Sequence, residues 1–412
     1  MNRMKKDAPS AWIVIALIAA LGLGVAGSAE ARKADWVAGW GFSIQGLAPA
    51  TTVVTNETVR MIARPTISGE LVRVRLDNTF GTVPLTIGAA SIAYRNNGAQ
   101  LVPGTVRPLT FGGSTSVTIA AGQGVYSDAL PFVARAWEDV AISLFVPGDA
   151  TGQISRHNNA RTTSYLTDAG AGDHTTDETS TAFTGTTSEM YWVSTIDVFS
   201  EAEGAVVFLG DSITDGTGST TDGHDRWHDI AFLRTLLGSK KDPTKAFVNE
   251  GIGGNRVTVT ATQSSPAAVE RLDRDVLSRS GITHVVFFEG TNDINSGLVN
   301  AEQLIAGMTE IIQRVKARGL KIIGATIIPR SSATWTPLKT EYRNQVNDWI
   351  RHHADFDAVI DFDEVVRDPT NPDIMNPIFD LGDHTHPNPF GYLAMGRSIK
   401  LAVLEGSASN HE

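Results

Sequence analysis

Two rhythms of apolar and polar positions run along this 412-residue chain. From about residue 36 to 200 the period is two. In Leu71–Leu76 apolar and charged side chains alternate from Val72 onward, as in a strand with one buried face. Similar short runs recur at Val83–Ile87, Ser116–Ile119, Val140–Val146 and Met190–Val198. Clusters such as Asn96-Asn97-Gly98 and Pro147-Gly148-Asp149 separate them and predict turns. Many short strands with frequent turns predict an all-β sandwich or jelly roll. Thr167–Thr187, rich in Thr, Gly, Ser and Asp, predicts a long loop.

The rhythm changes after Phe199–Gly204, which reads as a linker. Apolar runs at Ala205–Leu209, Ala246–Val248, His284–Phe288, Lys321–Ile328 and Ala358–Ile360 predict buried strands. Between them, Arg226–Leu237, Ala267–Arg279, Ala301–Arg318 and Leu338–His353 predict helices. In the third, Leu304, Met308, Ile311, Ile312 and Val315 recur at helical spacing. Strand–helix alternation predicts a parallel sheet with helices on both faces. Ligands of such sheets lie at the carboxyl ends of the strands, so the residues just after each strand matter most. The expected domains are therefore 36–200, a β-sandwich, and 203–405, an α/β domain.

Residues 1–31 read as a signal peptide: basic Arg3, Lys5 and Lys6, an apolar or small run from Ala11 to Gly27, then Ala29-Glu30-Ala31. Cleavage after Ala29 or Ala31 is expected, and export to the periplasm or the extracellular space with it. An uncleaved membrane anchor is the alternative. Gly22, Gly24 and Gly27 match a dinucleotide fingerprint but lie inside this run with no strand before them, so they carry no weight. The net charge is -11, and removing residues 1–31 takes away three basic and two acidic side chains, leaving -12. That balance argues against nucleic acid and against an anionic membrane surface as partner. The chain has no cysteine, which excludes disulfides, a cysteine nucleophile and thiolate metal ligands.

Four short motifs fall after strands or near the end of the chain. Gly210-Asp211-Ser212-Ile213 places a serine at the head of a helix, but Thr214 stands where an α/β-hydrolase elbow needs glycine. Asn249-Glu250-Gly251-Ile252-Gly253-Gly254-Asn255 offers backbone N–H groups to a ligand. Gly290-Thr291-Asn292-Asp293 offers a neutral amide donor suited to an oxyanion. In Asp383-His384-Thr385-His386 an Asp three residues before a His can orient its imidazole if the segment forms a helical turn. Taken singly, each also reads as a turn, a loop or, for the last, a metal pair.

Together and in this order they resemble blocks I, II, III and V of the SGNH (GDSL) hydrolase family, over Ala205 to Glu405. The resemblance implies a three-layer α/β/α sandwich with a parallel flavodoxin-like sheet. It implies Ser212 as nucleophile, His386 as base and Asp383 as its orienting carboxylate. It further implies an oxyanion hole from the Ser212 and Gly254 N–H groups and the Asn292 amide. Ile213 departs from the leucine of many members, a swap of similar volume. The stretch from Trp36 to Trp40 and Arg75–Gly88 is similar to the β-domain that precedes the catalytic domain in secreted bacterial members. The expected reaction is ester hydrolysis through an acyl-enzyme, needing no metal or cofactor. The expected substrates are small-molecule or polysaccharide esters, foremost short acyl esters of carbohydrates. A lipase or lysophospholipase is the alternative, and a non-catalytic carbohydrate-binding protein the more distant one. No stable membrane insertion is expected after signal cleavage. Residues 36–200 are expected to be dispensable for the chemistry.

Overall fold

The structure is a computed structural model that describes residues 33–46, 54–150, 154–238, 243–261 and 265–405. The signal-peptide reading of residues 1–31, with Gly22, Gly24 and Gly27, lies outside these residues. Among the described residues no helix is long and apolar enough to cross a membrane.

Five parallel strands form the centre of the second half: β1 (Ala205–Gly210), β2 (Ala246–Gly251), β3 (Ile282–Phe288), β4 (Lys321–Ala325) and β5 (Ala358–Ile360), in the order 2-1-3-4-5. β1 shows why both faces must be covered. Ala205, Val207 and Leu209 point to one side, Val206 and Phe208 to the other, and all are buried. On the first side α3 (Ala268–Leu272), α5 (Ala301–Ala317) and α6 (Pro337–His352) supply Leu272, Leu304, Met308, Ile311, Val346 and Ile350. On the second side α2 (Trp227–Gly238), α7 (Phe362–Val366) and α8 (Pro389–Ser398) supply Trp227, Phe232, Phe362, Tyr392 and Met395. The result is a three-layer α/β/α sandwich, the architecture that the resemblance implied. Helix starts carry local signals: Asn300 and Gln303 form a reciprocal capping box on α5, and Thr336 caps α6 before Pro337.

The first half is built of antiparallel sheets. One joins Asp35–Gly41, Val193–Ser200, Gly69–Asp77, Gly124–Tyr126 and Leu130–Ala134. A larger one centres on Val54–Ala63, Val140–Ala150 and Ala89–Asn97. Val72, Val74 and Leu76 of the first share one core with Val59, Met61, Ile92, Ile142 and Leu144 of the second.

Three elements differ from the pattern reading. Pro147-Gly148-Asp149 is not a turn: the strand runs on to Ala150 through a bulge between Val146 and Asp149. Ala267–Arg279 is not one α-helix: after Leu272 it widens into a π turn over Asp273–Leu277, which turns Asp275 inward to meet Arg271 and Arg274. β4 ends at Ala325, because Asn347 of α6 takes the ladder's place at Ile327, accepting from its N–H and donating to its carbonyl.

Residues from Ala34 onward form one compact unit. Ala38 N–H donates to the Ser280 carbonyl at 2.9 Å, and the Thr66 hydroxyl both accepts from Phe247 N–H (2.8 Å) and donates to its carbonyl (3.2 Å). Glu250, fully buried at the end of β2, accepts from Ser43 Oγ at 2.7 Å and pairs with Arg279 at 2.7 Å.

Candidate active site

β1 delivers the chain to a tight turn, and Ser212 opens α1 (Ser212–Asp215), a single turn. Asp211 caps that turn, its Oδ1 accepting from Ile213 N–H at 2.9 Å. Burial pushes the Asp211 carboxyl up to about 7, against that backbone bond and the nearby Arg330. Ser212 itself keeps 8% of its surface exposed, enough for a small reactant to reach.

The Ser212 Oγ lies 2.8 Å from His386 Nε2, and His386 Nδ1 lies 2.5 Å from Asp383 Oδ2. The connection between Asp383 and His386 is not the helical turn expected from their spacing. Asp383 Oδ1 instead accepts from the N–H groups of Thr385 (3.0 Å) and His386 (2.9 Å), while His384 takes a left-handed φ of 57°. Those bonds, chiefly the His386 imidazole and then its backbone N–H, hold the Asp383 carboxyl below its ordinary value against partial burial. His384 faces elsewhere: its Nδ1 meets Asp380 Oδ2 at 2.7 Å and its side chain is 59% exposed, against 18% for His386.

Gly254 sits in the loop after β2 with φ 75°, a left-handed conformation that glycine reaches without strain. Asn292 lies in α4 (Thr291–Ser296), and its Nδ2 donates to the Asn255 carbonyl at 3.0 Å. The amide and the glycine loop are thus brought together.

Several residues that hold these loops were not singled out from the sequence. Arg271, fully buried, donates to the carbonyls of Gly210 (3.0 Å) and Glu250 (2.8 Å) and to Asn255 Oδ1 (2.8 Å). It ties the serine turn to the glycine loop. Asp293, next to Asn292, accepts from Val257 and Thr258 N–H and ties the glycine loop to α4. Arg330, after β4, stacks toward Trp335, and its neighbour Ser331 donates to the His384 carbonyl at 3.0 Å. Asp293 stands inside a recognised motif and could have been found there. Nothing in the local pattern marks Arg271 or Arg330. Among the described residues no cluster of His, Asp and Glu is arranged to hold a metal ion.

A hydroxyl in line with an imidazole that is itself held by a carboxylate can attack an ester carbonyl. Residues 208–394 match the family model of the GDSL-like lipase/acylhydrolase family. This region is a GDSL-like lipase/acylhydrolase domain. The chain is therefore a carboxylic ester hydrolase, and the GDSL domain spans all four motifs. Among solved structures, a GDSL-like lipase from Bacteroides thetaiotaomicron is similar at 24% identity over 50% of this chain and 90% of that one, TM-score 0.35. A carbohydrate acetylesterase family member from Sinorhizobium meliloti is similar at 17% identity over 49% and 99%, TM-score 0.39. A member of the lipolytic protein G-D-S-L family from Veillonella parvula is similar at 18% identity over 48% and 96%, TM-score 0.34. The comparison with curated proteins finds no match.

Proposed function

We propose that this GDSL domain hydrolyses short acyl esters of carbohydrates through an acyl-enzyme on Ser212. The observation that carries the catalytic part is the unbroken chain from Ser212 Oγ to His386 at 2.8 Å and from His386 to Asp383 at 2.5 Å. His386 takes the serine proton as Oγ attacks, then returns it to the leaving alcohol. The oxyanion is held by the N–H groups of Ser212 and Gly254 and by the Asn292 amide. Water, activated by the same imidazole, releases the acid. Export rests on residues 1–31, whose basic start and apolar run suit a signal peptide.

Polar side chains near the motifs support the sugar-ester reading: Asn292 and Asn295 on α4, Thr334 on the loop after β4 bonded to Asn295, and Asp380 and His384 beside His386. A longer acyl chain is the second reading, favoured by Leu381, whose N–H donates to the His386 carbonyl and which is 45% exposed. A panel of acetylated glycans beside p-nitrophenyl esters of rising chain length separates them. Acetate release from glycans, with p-nitrophenyl rates falling beyond short chains, is expected. Rates that rise toward long chains, with intact glycans, would establish the lipase-like reading instead.

A further inference from the structure

Ser212 stands on a helix of one turn, and one turn has no stability of its own. What fixes the serine is therefore what holds that turn. Asp215, three residues on, lies on the same face as Ser212. Its Oδ1 is 3.0 Å from Nε2 of His157, a residue of the β region, and both side chains are buried. The His157 ring stacks on Phe42 at 4.4 Å and 7°, and its Nδ1 lies 2.9 Å from the Ser43 carbonyl. A carbonyl only accepts, so Nδ1 carries a proton. With Asp215 ionised, Nε2 facing it carries one as well, and the ring is then an imidazolium paired with Asp215.

The same carboxylate reaches the glycine loop. A first side-chain carbon at Gly253 would lie 3.7 Å from Asp215 Oδ2, and at Gly251 it would overlap the Asp215 backbone. Asp215 thus sits between the serine turn and the peptide that presents the Gly254 N–H. An unbalanced negative charge there would oppose an oxyanion forming on that N–H.

We infer that His157 is a positioning residue for the ester hydrolysis: its positive charge anchors the Ser212 turn through Asp215 and cancels a carboxylate that would otherwise repel the oxyanion. The inference rests on the reading of Ser212 and Gly254 given above. It makes the β region part of the working site.

The charged groups around the ring are Asp215 on α1 and Glu250 on β2. Glu250 is engaged by Arg279, Arg271 reaches Ser43 Oγ and Asp275, and Arg226 lies over the Phe42 ring at 5.6 Å. Burial works against the imidazolium, but Asp215, the Ser43 carbonyl and Glu250 outweigh it and raise the ring above its ordinary value. With the folded value raised, the charge is fully present at low pH and is lost as pH rises through that value. Activity should therefore fall on the alkaline side when His157 loses its proton.

The test compares His157→Gln, Asp215→Asn and the double variant on p-nitrophenyl acetate. His157→Gln should lower kcat about tenfold or more, leaving KM within about twofold, because the lost charge matters to the oxyanion rather than to substrate binding. Adding Asp215→Asn to it should recover part of that loss, because the stranded carboxylate is then gone while the anchor of the turn stays lost. The alkaline fall of the wild-type profile should be absent in Asp215→Asn, a readout that stands even if His157→Gln does not fold. An unchanged kcat in folded His157→Gln, a loss that Asp215→Asn does not recover, or an alkaline limb persisting in Asp215→Asn would each overturn the inference. Fluorophosphonate labelling of the wild type keeps the two levels apart. No label on Ser212 defeats the hydrolase reading itself, whereas a labelled Ser212 with any of those kinetic results defeats only the role of His157.

Discussion

The two histidines of the 383–386 segment differ in what they face. His386 stands between Ser212 and Asp383, while His384 leans on Asp380 at the surface. His386→Ala should therefore remove activity about as completely as loss of the serine, because the two act as one unit, and His384→Ala should keep most of it. Rates of both variants on one small ester check this. A dead His384→Ala beside an active His386→Ala would reverse the assignment. Asn292 belongs to the same scale. Its amide already donates to the Asn255 carbonyl, which fixes its orientation and leaves its second N–H to serve an oxyanion. Asn292→Ala should lower kcat by about 10²–10³ with KM nearly unchanged. A rise in KM at constant kcat would make it a substrate-binding residue instead. The juxtaposition of these residues was legible because motif and order coincided, and for Ser212 and Asn292 position after a strand as well. Arg271 was not, because its value lies in three acceptors that only folding brings together.

Among the elements, the histidine loop depends on α8. Asn388 caps that helix, accepting from the N–H groups of Phe390 and Gly391, and its Nδ2 donates back to the carbonyls of Ile378 and Asp380. One side chain thus fixes the helix start and closes the loop that carries Asp383 and His386. Asn388→Ala should cost about 1 kcal/mol or more of stability and lower kcat beyond what a stability loss alone produces. Thermal melts and kinetics at a temperature well below the transition separate the two effects, and full activity with a lowered melting point would confine Asn388 to stability. The sequence read element types well where periodicity ran long, as in α5, whose Leu304, Met308, Ile311, Ile312 and Val315 all face the core. It missed where side chains settled the local backbone: Asn347 cutting β4 short, Asp275 pairing with Arg271 and Arg274 where the helix widens after Leu272, and Asp383 forming a turn the spacing alone made helical.

At the scale of the whole molecule, the motif pattern marked residues 36–200 as separate from the chemistry, since every matched motif lies beyond Ala205. The packing argues otherwise. Glu250 and Arg279, both buried, take Ser43 and Thr195 of the β region as partners, and Phe247 bonds through Thr66. A chain starting near Glu203 would strip Val37, Trp40 and Phe42 from the apolar core they share with Ala246, Val248 and Val257, leaving that surface open to water. Such a chain is expected to be aggregated or poorly folded by size-exclusion chromatography and circular dichroism. A monomeric, active fragment would show that the β region is an attachment. This contact surface was invisible in the sequence because each half has its own periodicity, and the buried ions that join them are scattered singly among apolar runs.

The central claim, that Ser212 attacks the ester, is tested most directly by Ser212→Ala on p-nitrophenyl acetate. The account predicts a native circular-dichroism spectrum and a fall in kcat of about 10⁴–10⁶. Activity within tenfold of the wild type, in a variant with that intact spectrum, would contradict it.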